Sequence, residues 1–477
     1  MLALRTLSEM ARASSFARAL TAPTVRARQI STDRQSLVQK PFLTRPASSA
    51  VAIKQVSRPS PSAYSVDYER SPTSTADQHE VLIKWDDNQR SKYHHVWLRD
   101  HCRCPECFHP VTKQRLVNTF EIPPDIEPVS VRSNQQGLQI TWPSPPQPHA
   151  SFYPWSWLKA NSYDPPALQS SRNEKILWGS KIAQGPPSVA YEEVMAPGGD
   201  GLYRWLSQID RFGFCFVAGV PPTPEATEQL STRIGFIRET HYGKFWDFTA
   251  DLARGDTAYT NLALGAHTDN TYFSDPCGLQ LFHLLSHTEG TGGATLLVDG
   301  FHVATTLRER HPELYRLLAT VPVPAHAAGE EDSFYFDERP VLGVDGYTKE
   351  LRSVRWNNDD RSVVKGVPRG KMLQWYDAIR TWNEGLTSSE SEYWVQLTPG
   401  TVIAIDNHRV LHGRSAFTGK RRMCGAYIGM DEFRSKLAVL SERFDRKTRD
   451  AAHVHGGHRH GHGAVEGKGR SIWSSGL

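Results

Sequence analysis

The sequence predicts a mainly β fold with flanking helices: a double-stranded β-helix (jelly roll) core preceded by a small β-rich module. Three observations lead there. Short β-forming runs recur along most of the chain. Only a few stretches between them carry helical periodicity. Residues of metal-ligand type sit on runs far apart in sequence, which suggests a double-sheet jelly roll.

The chain opens with a basic segment. Residues 1–50 hold Arg5, Arg12, Arg18, Arg26, Arg28, Arg34 and Arg45 against only Glu9 and Asp33 as acids. Ser and Ala are abundant, and Leu2, Leu4, Leu7 and Met10 can line one helical face. This is the composition of a mitochondrial transit peptide, and it predicts a matrix protein; a plain basic tail is the alternative. Residues 51–78, rich in Ser and Pro, read as linker.

Residues 79–160 read as the β module. VLIKW and then HHVWLRDHCRC alternate as short strands, followed by runs at Val129–Val131 and Leu138–Trp142 and a helical or irregular exit at Phe152–Leu158. Cys102, Cys104 and Cys107 lie at one- and two-residue spacing, so their thiolates can share one knuckle. His149 is the candidate fourth ligand of a structural Zn site, since His101 and His109 are nearer but sterically less free. Buried cysteines without metal are the alternative. A site filled entirely by protein ligands does no catalysis.

Residues 160–200 are polar and rich in Pro and Gly, a boundary before the main domain, which is expected over 185–440. A helix is predicted at Gly201–Asp210 (Leu202, Trp205, Leu206 and Ile209 on one face), then a strand at Phe214–Val217 and a helix at Glu225–Ile234. Strands follow from His267 onward, at Gly278–Leu285 and at Ala294–Val298, then one or two helices over Phe301–Val321. Val354–Asn358, Val402–Ile405, Val410–Gly413 and Met423–Ile428 read as strands, with helices at Lys371–Gly385 and Asp431–Arg443. Residues 450–477, with histidines at 453, 455, 458, 460 and 462 among glycines, read as a disordered tail able to bind divalent metal.

The 55 basic and 51 acidic residues leave a formal charge of +4, too balanced for a nucleic-acid partner. No run approaches the roughly 18 apolar residues of a membrane helix, so no membrane is expected either. Six cysteines in 477 residues are no disulfide scaffold, and their clustering suits a reducing compartment. The chemistry centres on His267-Thr268-Asp269 and the distant His412. Two histidines and a carboxylate can hold Fe(II) on one octahedral face and leave the other positions open. Residues 267 and 269 share parity on a strand and so point to one side. A surface turn with a core histidine is the bland alternative.

His267-Thr-Asp269, Gly-Gly-Ala-Thr295, His412-Gly-Arg and Arg421, in that order, resemble the Fe(II)/2-oxoglutarate oxygenases related to taurine dioxygenase. WLRDHCRCPEC…ITWP followed by His149 looks like the Zn-binding amino domain of the carnitine-biosynthesis hydroxylases within that group. The resemblance spans roughly residues 80–440. It implies Fe(II), 2-oxoglutarate and O₂, L-ascorbate to keep the iron reduced, structural Zn, and a possible homodimer. Arg421 then fits the far carboxylate of 2-oxoglutarate, which an arginine can grip in bidentate fashion, with Arg414 as the other contender. Arg422 would face the opposite way. Thr295 would hydrogen-bond a 2-oxoglutarate carboxylate.

The hydroxylases of that kind take quaternary ammonium substrates, which only aromatic faces can recognise. Tyr242, Trp246, Tyr259 and Tyr427 fall where the resemblance puts such a cage, the first two sharing a helical face or turn. Asn357 and Asn358 are candidates for the other end of the substrate, although an Asn-Asn pair is as readily a turn. Asp256 could serve there too, or support a metal ligand from behind, and it, Asp359 and Asp360 are the acids available to an α-amino group. GDTAYTNLALGAHTDNTYF, RWNNDD and TLLVDGF are closer to the trimethyllysine branch. The full Cys-x-Cys-x-x-Cys set is more typical of the γ-butyrobetaine branch. The expectation is 3-hydroxylation of N6,N6,N6-trimethyl-L-lysine, the first step of carnitine biosynthesis. Hydroxylation of γ-butyrobetaine, and an inactive trimethyllysine binder, are the alternatives.

Overall fold

The computed structural model describes residues 72–455 except 78, 145, 168–173, 250–259 and 330–331, with side chains through residue 444. The expected leader (1–50), most of the linker and tail, Asp256 and Tyr259 therefore lie outside the described residues.

The amino-terminal portion builds two three-stranded antiparallel sheets. β1 (Thr73–Ala76), β2 (Glu80–Lys84) and β3 (Arg90–His94) form the first. α1 (His95–Asp100) follows, and β4 (Ser130–Ser133), β5 (Gly137–Trp142) and β6 (His149–Pro154) form the second before α2 (Trp155–Ala160). β1 falls inside the stretch expected to be linker. HHVWLRD was expected as strand, and from His95 it is helix. Its buried residues, His95 and Leu98, are three apart, which is helical spacing that the alternation Val96–Leu98 concealed. Val81, Ile83, Tyr93, Leu98, Leu138, Ile140, Trp142 and Tyr153 make one core under both sheets.

The remainder, in chain order, is β7 (Ser188–Ala190), α3 (Tyr191–Met195), α4 (Asp200–Phe212), β8 (Phe214–Ala218), α5 (Pro224–Thr232), β9 (Phe245–Thr249), β10 (Leu264–His267), β11 (Leu279–Thr288) and β12 (Thr295–Asp299). After these come α6 (Gly300–Arg310), α7 (Pro312–Thr320), β13 (Val323–Ala327), β14 (Tyr335–Arg339), β15 (Leu342–Val344) and β16 (Leu351–Val354). α8 (Met372–Leu386), β17 (Tyr393–Val395), β18 (Thr401–Asp406), β19 (Val410–Arg414), β20 (Lys420–Ile428) and α9 (Met430–His455) complete it. Helix ends follow local chemistry. Thr223 Oγ1 accepts from the Ala226 N–H with Pro224 at the first turn of α5, and Asp299 accepts from the Phe301 N–H at α6. α4 ends on Gly213, whose φ of 81° an L side chain rarely adopts.

A six-stranded sheet, ordered β7-β8-β18-β11-β20-β9, faces a four-stranded sheet ordered β10-β19-β12-β17. The two-residue period sorts each strand. Leu279, Leu281, Ala426 and Ile428 point out against α4, α5 and α9. Leu296, Val298 and Leu411 point out against α6, α7 and α8. Phe214, Phe216, Leu284, Leu297, Ile403, Ile405, Val410 and Met423 fill the space between the sheets, the double-sheet jelly roll expected. Residues Arg355–Asn358, expected as strand, lie beyond the end of β16.

One ionic contact is wholly enclosed. The Arg409 guanidinium meets Asp299 at 2.8 Å, both side chains fully buried, and also donates to the carbonyls of Arg211 (2.8 Å) and Ile176 (2.6 Å). Each charge thus has its partners, the condition for tolerating burial.

Candidate active site

The interior rows of the two sheets supply the site. His267 and His412 are register partners across β10 and β19, which brings their ring centroids to 4.5 Å. β10 ends at His267, so Asp269 is not on the strand as its parity suggested. A bend carries it round, fixed where the buried Thr268 N–H donates to the Trp356 carbonyl at 2.7 Å. Asp269 Oδ1 then lies 3.3 Å from His267 Nε2 and 3.4 Å from His412 Nε2. The three ligand atoms all lie within 4.8 Å of one another. His267 Nδ1 donates to the Gly265 carbonyl at 2.8 Å, leaving the Nε2 lone pair for a metal. Burial raises the Asp269 carboxyl, but the imidazoles of His412 and His267 outweigh it and hold the group well below the usual carboxylate range. Two imidazole nitrogens and one anionic oxygen suit Fe(II) with open positions.

A cavity of about 350 Å³ opens from this cluster. Its wall includes Thr295, Arg421, Asn357, Asn358, Tyr242, Trp246 and Tyr427, every remaining candidate among the described residues outside the cysteine cluster. Arg421 shares the inward row of β20 with Met423 and Tyr427 and is 7% exposed. Its Nε is buried without a hydrogen-bond partner among the described residues, and burial, with Arg414 nearby, pushes its pKa down to about 10. A buried cation in that state calls for an anion. Arg414 is already engaged by the carbonyls of Thr260 and Leu262. Arg422 faces outward and pairs with Asp247. Gly293 permits Arg421 to lie close: at φ 71°, a Cβ there would stand 3.2 Å from Arg421 Nε.

The aromatic side is built at the sheet edge. Trp246 sits on β9, whereas a helical face or turn was expected for it together with Tyr242. Tyr242 occupies the turn closed by Thr240 and Gly243, whose φ is 98°. The β-forming aromatics of FWDFT carry the chain straight into an edge strand. Trp246 and Tyr427 have centroids 6.2 Å apart, and Tyr242 packs beside them. Asn357 and Asn358 also serve a turn. Asn357 Oδ1 accepts from the Asp359 N–H and Asn358 Oδ1 from Arg361. Asp359 and Asp360 line the same wall, with Asp360 accepting from Thr271 Oγ1 at 2.8 Å.

A second donor set lies in the amino-terminal portion. The Cys102, Cys104 and Cys107 sulfurs stand 3.3, 3.6 and 3.5 Å from His149 Nε2. Ligand atoms on a tetrahedron of Zn–S and Zn–N bonds would be about 3.6 Å apart, so the four fit one ion. Arg99 donates to Cys107 Sγ at 3.3 Å and Glu106 lies 3.4 Å from His149 Nδ1, contacts that would steady two of the ligands.

Residues 179–427 match the taurine catabolism dioxygenase TauD, TfdA family. The chain belongs to this family. It is an enzyme of the iron- and 2-oxoglutarate-dependent dioxygenase class. Residues 73–159 match the gamma-butyrobetaine hydroxylase-like N-terminal family. Among similar proteins, trimethyllysine dioxygenase of Meyerozyma guilliermondii is 43% identical over 76% of this chain and 93% of its own length. The human protein named trimethyllysine dioxygenase, mitochondrial, is 44% identical over 74% of this chain and 84% of its own. Human gamma-butyrobetaine dioxygenase is 29% identical over 77% and 96%. A solved taurine dioxygenase from Burkholderia xenovorans aligns with a TM-score of 0.39 at 16% identity, over 53% of this chain and 89% of that one.

Within this TauD-family site, several residues were not singled out from sequence. Gln280 Nε2 and the Tyr427 hydroxyl both donate to Asp269 Oδ2, the latter at 2.7 Å. Burial, with the Asp269 charge, pushes the Tyr427 phenol well above its usual range and keeps it a donor. Asn407 Oδ1 accepts from the Asp269 N–H (2.8 Å) while its Nδ2 donates to the Asp269 carbonyl (3.1 Å). Tyr272, Phe282 and Trp356 complete the wall. A signal existed for two of these: Gln280 interrupts the apolar run LQLFHLL, and Asn407 follows the apolar strand VIAID. A polar side chain in such a place is buried and must find partners.

Proposed function

We propose that the enzyme hydroxylates N6,N6,N6-trimethyl-L-lysine at carbon 3, using Fe(II), 2-oxoglutarate and O₂, and so performs the first step of carnitine biosynthesis. The observation that carries the reading is a single cavity joining three features: the His267–Asp269–His412 cluster, the buried Arg421 and the aromatic wall. His267, Asp269 and His412 hold the iron. The metal, when bound, supplies the oxidising power that puts one atom of O₂ into a C–H bond and the other into succinate, as 2-oxoglutarate loses CO₂.

The chain's own work is binding and orientation. Arg421 receives the far carboxylate of 2-oxoglutarate in a charge-assisted pair, and Thr295 hydrogen-bonds a carboxylate oxygen. Tyr242, Trp246 and Tyr427 present ring faces to the trimethylammonium group, which cannot donate a hydrogen bond, and Tyr259 is the fourth aromatic assigned to it. Asn357 and Asn358 meet the amino-acid end, and Asp256, Asp359 or Asp360 balances the α-amino group. Held at both ends, the substrate would be oriented with carbon 3 toward the His267–Asp269–His412 cluster, while Phe282, Trp356 and Met423 keep the surroundings apolar. L-ascorbate keeps the iron reduced, and Cys102, Cys104, Cys107 and His149 hold a structural Zn. The basic leader directs the chain to the mitochondrial matrix; the names of the mammalian relatives support the mitochondrion. The amino-terminal zinc portion is the proposed route to a homodimer.

Relatives at 43–44% identity carry the trimethyllysine name, against 29% for the butyrobetaine enzyme, which supports the choice of substrate. The test is a mass-spectrometric assay with Fe(II), 2-oxoglutarate, ascorbate and either compound. One added oxygen on trimethyllysine alone is expected. Hydroxylation of γ-butyrobetaine instead would overturn the substrate, and turnover of neither by iron-loaded protein would leave a binder.

A further inference from the structure

Asp269 offers a metal two oxygens, and the structure treats them differently. Oδ1 faces the Nε2 atoms of both histidines. Oδ2 is turned to β11 and β20, where Gln280 and Tyr427 both donate to it. These two are register partners on adjacent strands, and Gln280 Nε2 also lies 3.5 Å from the Tyr427 hydroxyl. Both side chains are nearly sealed, Gln280 at 2% and Tyr427 at 5% exposure. Such an amide in an apolar strand costs stability unless it is bonded, so its place here needs a reason.

We infer that Gln280 and Tyr427 are positioning residues that reserve Oδ2, so that Asp269 ligates through Oδ1 alone, and that Tyr427 ties the aromatic wall to the metal ligand. The first part follows from counting positions. A three-ligand face leaves three octahedral positions, which a chelating 2-oxoglutarate and one O₂ fill. A carboxylate binding through both oxygens would take one of these. Two donors on Oδ2 hold the carboxylate plane where only Oδ1 reaches the ion.

The second part follows from Tyr427 having two ends. Its ring packs with Trp246 in the wall of the cavity, and its hydroxyl grips Asp269. A cation settled against that ring presses on a side chain that itself orients the ligand. The inference rests on reading His267, Asp269 and His412 as the iron set.

Mn(II), a redox-stable probe, is titrated calorimetrically into zinc-loaded, iron-free full-length protein. His267→Ala provides the background, because the histidines at 453–462 remain in it. Tyr427→Phe keeps the ring and removes the donor; Gln280→Asn keeps the amide and shortens its reach. Each is expected to weaken Mn(II) binding about 10- to 100-fold, the usual effect of losing a group that steadies a ligand. Trimethyllysine affinity at saturating Mn(II) and 2-oxoglutarate should stay within about threefold in Tyr427→Phe, since the cation–π face survives. Mn(II) affinities within about twofold of the parent in both variants would overturn the clamp. So would a Tyr427→Phe protein that loses trimethyllysine but keeps Mn(II), because the hydroxyl would then serve the substrate. An Mn(II) titration of His267→Ala that matches the parent's, with no site lost, would instead bring down the iron-set reading itself.

Discussion

Arg421→Met tests the site where its energetics are most lopsided. The guanidinium is buried, its Nε has no hydrogen-bond partner among the described residues, and its pKa falls from 12.5 to about 10. That fall corresponds to roughly 3 kcal/mol spent on keeping the charge in place. On the proposed role of Arg421 a carboxylate of 2-oxoglutarate would recover it, so removing the cation should weaken 2-oxoglutarate by about two orders of magnitude. The same substitution removes the cost from the ligand-free protein. Its thermal midpoint should therefore hold or rise, the opposite of what deleting a structural arginine does. Arg421→Lys, which keeps a point charge but not the fork, should lose about tenfold. The assay pairs titration of 2-oxoglutarate into the Mn(II)-loaded enzyme with a melting curve of the metal-free protein. If the affinity of Arg421→Met stays within about fivefold of the parent, or its midpoint drops by several degrees, the reasoning fails.

Other sites yield predictions of different kinds. Trp246→Leu should raise the KM for trimethyllysine about tenfold or more and spare 2-oxoglutarate; an unchanged KM would count against the cage. Cys104→Ser should lose zinc by elemental analysis and lower the melting temperature while the metal-loaded protein keeps its kcat; a zinc-free parent would refute it. His283 is fully buried, accepts from the Gly400 N–H at Nε2 and shares its other nitrogen with Thr227, and burial lowers its pKa to about 4. Its folded pKa lies below its unfolded value of 6.5, so the unfolded chain takes up the proton first as pH falls. Stability is complete above 6.5 and drains away down to about 4. His283→Gln should flatten that acid arm in urea melts, and parallel arms for the two proteins would disprove it.

Much of the architecture was legible because each interior strand alternates. LQLFHLL and RMCGAYI sort residues to two faces at a period of two, and only two facing sheets with covering helices can bury both. The pairing of His267 with His412 was legible from the ordered motifs rather than from alternation. The bend that swings Asp269 back was not, since it depends on Trp356, nearly ninety residues later, accepting from Thr268. HHVWLRD misled because Val96 and Leu98 imitate a strand, while the core chose His95 and Leu98. Gln280 and Asn407 escaped notice because their shared partner, Asp269, reaches them only through the bend after β10. A sequence marks such residues as polar intruders, but only tertiary pairing tells what they hold.

The enclosed Arg409–Asp299 contact bears on how the protein comes into being. Asp299, Arg211 and Ile176 precede Arg409 by 110, 198 and 233 residues, so all its acceptors leave the ribosome long before their donor. At roughly 5–20 residues per second, the Ile176 carbonyl waits about ten to fifty seconds. During that interval the chain holds a carboxylate destined for a dry interior with no cation to neutralise it, and collapse around it is unfavourable. The guanidinium is thus a late closure: the enclosed place around Asp299 has its cation only once residue 409 has been made, in about the last seventh of the chain.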